Sequence, residues 1–129
     1  MPPIDQLQRL PPYHLDALSR QGIFTTGLLL EVSETPTRRQ YLADQINATT
    51  NDVNEWRDEA LLLNLANFGP DQQVLFAQAG IVGLTDLLAL SLDDFRLAIF
   101  RACQRLRITP PDDLTVEGWW EQAHTLAEE

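Results

Sequence analysis

The sequence predicts an all-α fold, and three observations carry that prediction. Apolar residues recur at three- and four-residue spacing along most of the chain. Prolines and glycines fall where helices start and stop. No segment alternates apolar and polar residues with the period of two that a half-buried strand needs. Together they call for about seven to nine short helices in one compact domain.

Pro12 suits the first residue of a helix running to about Gln21 and closed by Gly22, with Leu15 and Leu18 on its apolar side. Phe24 through Val32 is densely apolar and reads as a short helix. Thr35-Pro36-Thr37 opens a segment with Tyr41, Leu42 and Ile46 on one face, followed by a turn at Asn47-Ala48-Thr49-Thr50. Thr49 or Thr50 can cap the next helix, which Asp52 favours from its first turn and which Val53, Trp56, Ala60 and Leu63 pattern. Gly69-Pro70-Asp71 starts another helix that stops at Gly80, and Leu84–Leu88 forms a short one. Ser91 and Asp94 read as a capping box ahead of the stripe Leu92, Phe95, Ile99, Cys103 and Leu106, with Pro110-Pro111 as the breaker. Thr115 is the expected cap of a last helix carrying Val116, Trp119, Trp120, Ala123 and Leu126.

The 129 residues fit one domain, 1–129, large enough to bury roughly two-thirds of its unfolded surface. A first unit is expected at about 5–33, a middle helix pair at about 36–66, a second unit at about 67–90 and C-terminal helices at about 91–128. Nineteen acidic against nine basic residues give a net charge of −10, and every basic residue is arginine. That excess repels nucleic acid and anionic membranes, so nucleic acid is disfavoured as a partner, although a local basic patch remains allowed. No apolar run approaches a membrane span, and the start at Met1-Pro2-Pro3 lacks the charged and apolar regions of a signal peptide. The single Cys103 excludes an internal disulfide and points to a reducing compartment, read here as the cytoplasm.

A repeat is legible. Residues 10–30 and 68–88, offset by 58, share Pro12/Pro70, Gly22/Gly80, Ile23/Ile81 and the pairs Leu29-Leu30/Leu87-Leu88. These are the start, stop and re-entry points of a helix, so two turn-linked units of similar build are expected.

The pattern resembles a helix-hairpin-helix repeat, in which Leu-Pro-Gly-Ile-Gly-Pro precedes a helix ending in Ala-Gly-Ile. From about Leu7 to Leu126 the chain is similar to a bacterial domain family of unknown function built from two such units. Arg39, Leu42, Ala43, Ile46, Val53, Asn54 and Trp56 resemble that family's middle segment. In DNA-binding members of the hairpin class, the glycine-rich turn offers backbone N–H groups to a phosphate. Here the first turn reads Leu7-Gln8-Arg9-Leu10-Pro11-Pro12, with Arg9 and Pro11 where glycines belong and no N–H on Pro11. The second, Leu65-Ala66-Asn67-Phe68-Gly69-Pro70, keeps Gly69, while Asn67 can take a left-handed conformation. Asn67 and Gly69 are therefore the candidate residues of the alternative reading, a weak nucleic-acid binder. A helix-turn-helix reading fails on charge, since Asn51–Glu59 would present Asp52, Glu55, Asp58 and Glu59 to phosphates against Arg57 alone.

Chemistry is scarce. His14 and His124 lack partners at metal-ligand spacing, so no metal or other cofactor is expected. Cys103 lies on an apolar stripe, and Asp93-Asp94 and Asp112-Asp113 sit where caps are expected. No phosphate-binding loop, nucleophile elbow or dinucleotide fingerprint is present, which argues against an enzyme. The preferred reading is a non-catalytic protein-interaction module, an adaptor or assembly factor for another protein. Its candidate contact residues are Arg96, Arg101, Arg105, Arg107, Trp119 and Trp120. Arg101 and Arg105 share a helix face, and adjacent tryptophans about 100° apart should place one inside and one near the surface. The competing expectation is that Glu117 and Glu121 neutralise these arginines internally.

Overall fold

The computed structural model describes residues 2–128; Met1 and Glu129, the ends of the expected domain, lie outside them. A 3-10 turn at Ile4–Gln6 precedes eight α-helices among the described residues. They are α1 (Pro12–Arg20), α2 (Thr26–Val32), α3 (Pro36–Gln45), α4 (Thr50–Leu63), α5 (Pro70–Gln78), α6 (Leu84–Leu88), α7 (Leu92–Leu106) and α8 (Asp113–Glu128). The class is all-α. The described residues hold only an isolated antiparallel bridge between Pro3 and Thr25 and no strand.

Helix starts follow side-chain chemistry. Thr25, Thr35 and Ser91 each accept the N–H of the residue three positions on, at 3.1, 3.2 and 3.1 Å. Thr49 and Asp52 exchange reciprocal bonds of 3.1 and 3.0 Å at the start of α4, a full capping box. One boundary differs from expectation. The last helix is capped by Asp112, whose carboxylate accepts the Thr115 N–H at 2.8 Å, so Thr115 lies inside it. Helix α7 ends at Leu106 because Arg107 turns left-handed at φ +56°, three residues before Pro110.

The chain divides into two compact units, Met1–Asn64 and Leu65–Glu129. In the first, α2 and α3 pack on α4. Its core is built on Leu18, Leu29, Leu42, Val53 and Trp56, all buried. In the second, α6 and α7 pack on α8, and α5 packs on α7. Phe76 lies at the centre of that unit's core, edge-on to Phe68, Phe95 and Trp119 at 4.8, 5.7 and 5.2 Å between ring centroids.

The two units repeat one another further than residues 10–30 and 68–88. Helices α1 and α5 both span nine residues and end alike. Gly22 and Gly80 take φ of +79° and +82°, which an L side chain rarely adopts. Past them, the Ile23 N–H reaches back to the Leu18 carbonyl at 3.0 Å and the Ile81 N–H to Phe76 at 2.8 Å. This is the Schellman closure, sealed in both copies by buried apolar pairs. Helix α3 ends at Asn47, φ +58°, with the Ala48 N–H on the Ala43 carbonyl at 2.8 Å. Helix α7 ends the same way 60 residues on, with Ile108 on Cys103 at 3.1 Å. In α4 and α8, Val53, Trp56 and Ala60 match Val116, Trp119 and Ala123, offset by 63 and all buried. The offset grows from 58 to 63 because α7 is longer than α3 and the connection from α7 to α8 is longer than that from α3 to α4.

Trp56 is 1% exposed at the centre of the first core. Trp56→Ala should therefore lower stability by about 3–5 kcal/mol. Chemical denaturation followed by circular dichroism checks this, and an unchanged midpoint would remove Trp56 from the core.

Candidate interaction surface and hairpin turns

The turns ahead of α1 and α5 are where a hairpin of this kind would meet a phosphate. In the first, the amides of Gln8 and Arg9 both donate to the carboxylate of Glu59 on α4, the Arg9 bond measuring 3.1 Å. Glu59 is 1% exposed. Burial raises its carboxyl above the ordinary value; the two amide bonds and the Arg9 cation act downward, and neighbouring Asp58 acts upward. Pro11 supplies no N–H. In the second turn, the Ala66 N–H donates to Gln122 Oε1 on α8 at 2.9 Å. Phe68 donates to the Leu65 carbonyl at 3.2 Å, and Gly69 to Gln72 Oε1 at 2.9 Å. Asn67 is left-handed at φ +59°. Most amides of both turns are thus occupied from within the chain.

The two turns are tied by equivalent residues. Gln8 and Ala66 stand 58 apart, and Glu59 and Gln122 stand 63 apart, the offsets of their respective segments. Sequence reasoning missed both acceptors. Glu59 sits in the acidic run Asn51–Glu59, and only its position one turn after Trp56, matched by Gln122 one turn after Trp119, marks it.

Helix α7 carries the arginines on two different sides. Its buried side is Phe95, Ile99, Ala102 and Cys103. Arg96 is held by Glu117 at 3.4 Å and Asp93 at 3.7 Å, whereas the neutralisation expected from Glu117 and Glu121 does not reach Arg101 or Arg105 among the described residues. Arg101 and Arg105 are exposed and have no carboxylate partner among the described residues; Arg105 reaches the Gln78 carbonyl at 3.5 Å. Arg107 is exposed at the left-handed helix end. Alongside Arg101, Leu97 and Phe100 stand 45% and 49% exposed, a feature sequence reasoning passed over. The matching positions of α3, 60 residues earlier, hold Thr37, Gln40 and Tyr41, so the helix does not need apolar residues there to fold.

Trp119 is buried, with its indole N–H on the Ala66 carbonyl at 2.9 Å. It therefore leaves the partner-facing set, because both its ring and its polar handle are committed to the core. Trp120 is half-buried, donates to the Leu90 carbonyl at 3.0 Å and lies 4.0 Å from the His124 ring. His14 packs 5.1 Å from the Trp56 ring. No group of three or more His, Cys, Asp or Glu side chains could hold a metal among the described residues. Cys103 is buried and its thiol is pushed up by burial. The bonds from Thr115, hydroxyl and amide, hold the exposed Asp112 below its ordinary range. In the first unit, an open cleft of about 510 Å³ is lined by Ile23, Val32, Tyr41 and Leu42, with Arg38 and Gln45 among its polar residues. No helix of the described residues is long and apolar enough to cross a membrane.

The two kinds of arginine should separate in thermal melts. Arg96→Ala loses two carboxylate contacts and should cost about 0.5–1 kcal/mol, whereas Arg101→Ala and Arg105→Ala should stay within about 0.5 kcal/mol of the parent. Equal losses at all three would make the outer arginines structural.

A family model described as "Domain of unknown function (DUF4332)" matches residues 10–126. No curated protein and no solved structure matches the chain.

Proposed function

The chain belongs to the DUF4332 family of domains of unknown function, and we propose that it works as a non-catalytic protein-interaction module that docks a protein partner on the outer face of α7. The observation that carries this reading is the pairing of exposed Leu97 and Phe100 with Arg101 and Arg105, which lack carboxylate partners among the described residues. Aromatic and arginine side chains are enriched at interface centres, and clustered exposed apolar residues mark contact sites. The partly accessible Trp120 and exposed Arg107 are the further candidate contacts, while Arg96 serves the fold. A non-catalytic role is supported by the burial of Cys103 and by the capping contact of Asp112. A single buried thiol also suits the reducing cytoplasm.

The second reading treats the two turns as degenerate helix-hairpin-helix elements that bind nucleic acid weakly through Asn67 and Gly69. The matching Schellman closures favour the shared architecture. Against binding stand the −10 charge and turn amides already occupied by Glu59, Gln122 and Gln72.

Two measurements test the proposal. Titration with duplex and single-stranded DNA at moderate ionic strength should give no binding; micromolar affinity that falls steeply with salt would favour the second reading. Affinity capture from the native cell should recover a protein partner that the double variant Arg101→Glu/Arg105→Glu loses without a change in melting. Partner capture that survives the charge reversal would displace the site from α7.

A further inference from the structure

The two units differ where the entry turn meets the last helix. In the first, the half-buried Arg9 lies across α4, its guanidinium paired with Asp58 at 3.5 Å. At the matching positions of the second unit three long side chains give way to short ones: Ala66 stands for Gln8, Asn67 for Arg9 and Gly118 for Glu55. Between turn and helix there is an open cleft of about 310 Å³, wholly within the second unit, lined by these three together with Asp112, Leu114 and Thr115 among others. Gly118 lies in the interior of α8, where glycine weakens a helix relative to alanine. Its backbone is helical and a Cβ there would meet nothing within 4 Å, so neither conformation nor close approach demands glycine. Glu55 shows that the repeat carries a full side chain at this place.

We propose that this cleft is a receptor for an arginine side chain of a protein partner, taking from outside the guanidinium that Arg9 supplies in the first unit. The acidic half of that pairing is present: Glu121 matches Asp58 and has no ion-pair partner among the described residues, and Asp112 adds a carboxylate to the lining. The side-chain amide of Asn67 is likewise without a hydrogen-bond partner among the described residues, so its oxygen can accept a guanidinium N–H. Leu114, 81% exposed, offers apolar surface to the methylene stem, and the bare backbone at Gly118 leaves room for a planar head. The volume lies at the small end of ligand sites and suits one side chain. A net charge of −10 attracts a basic partner. This inference is independent of the reading given for α7: that face presents arginines, whereas this cleft accepts one, so the two can fail separately.

NMR titration of the parent protein with N-acetyl-arginine amide at low salt tests this. The backbone amide signals of Asn67, Thr115, Gly118 and Gln122 should shift saturably. N-acetyl-citrulline amide, the neutral isostere, and N-acetyl-lysine amide, a cation without the planar fork, should bind at least about tenfold more weakly. The absence of a saturable shift with the arginine compound overturns the proposal. Equal binding of the lysine compound also overturns it, because the cleft would then attract any counterion. Free L-arginine should bind no more tightly than the blocked compound; tighter binding overturns the protein source in favour of a small molecule. Shifts of the same signals on concentrating the protein alone would make the donor a second copy of the chain and overturn a separate partner.

Variants locate the site. Gly118→Gln gives the cleft a neutral side chain of the length that Glu55 has in the first unit, so it should fold and lose the shifts. The double variant Asp112→Asn/Glu121→Gln keeps a capping oxygen ahead of α8 and should weaken binding by about tenfold. Binding that survives both overturns the proposal, and the second variant with the parent titration decides should Gly118→Gln fold poorly. Gly118→Ala should melt no lower than the parent; a lower melting temperature would show that the fold itself demands the glycine and would overturn the argument from the cleft.

Discussion

A peptide amide that leaves water must find an acceptor, and the architecture turns on how this chain meets that demand ahead of α1 and α5. Neither turn can pair with a neighbouring strand, so the acceptor arrives from the far end of the same unit. Glu59 on α4 and Gln122 on α8 supply it. To reach the turn, each must project from the helix face that also carries the buried tryptophan and alanine. Placement of the last helix, direction of entry into the first and position of the aromatic core are thereby fixed together.

What was legible in the sequence was local. Pro12 and Pro70, the threonine caps and the glycines at 22 and 80 act on backbone within a few residues of themselves, so their signals survive without knowledge of the rest. Val53, Trp56, Leu75, Leu87, Phe95 and Ile99 were likewise readable as core from helical spacing. The polar contacts that cross a unit were not. Glu59 lies beside Asp58 in an acidic stretch, and the bond that makes it special is to a residue 51 positions away. The repeat faded past Leu88 because the greater length of α7 and of the connection after it shifts the register, although the backbone keeps the same helix endings. Arg107 closes α7, where a helix end was readable, in a left-handed conformation normally left to glycine or asparagine, which its residue type did not signal.

The repeat also acts as an internal control on surface chemistry. Positions that face the core agree between the units in kind: Val53 with Val116, Trp56 with Trp119, Ala60 with Ala123. Positions facing outward on α3 and α7 do not, with Thr37, Gln40 and Tyr41 against Leu97, Phe100 and Arg101. Packing dictates the first set and leaves the second free, so what occupies the outer face of α7 reflects something other than folding. The same comparison explains why a tryptophan pair is a poor guide to function. Trp120 has Arg57 at its matching place in α4, and both donate to carbonyls near the end of the preceding short helix, Leu90 and Leu30.

The long reach of the two fastening bonds has a consequence for how the protein is made. Most helical domains are rich in contacts close in sequence and settle quickly as the chain grows. Here the amides of Gln8 and Arg9 find their buried acceptor only after about fifty further residues have been added. Until Glu59 leaves the ribosome, the Gln8 and Arg9 amides lack the acceptor they have in the folded unit, whatever α1 and α2 have done. The same wait recurs between Ala66 and Gln122. Synthesis therefore meets two late closing steps, each set by the arrival of a last helix rather than by the speed of forming the first.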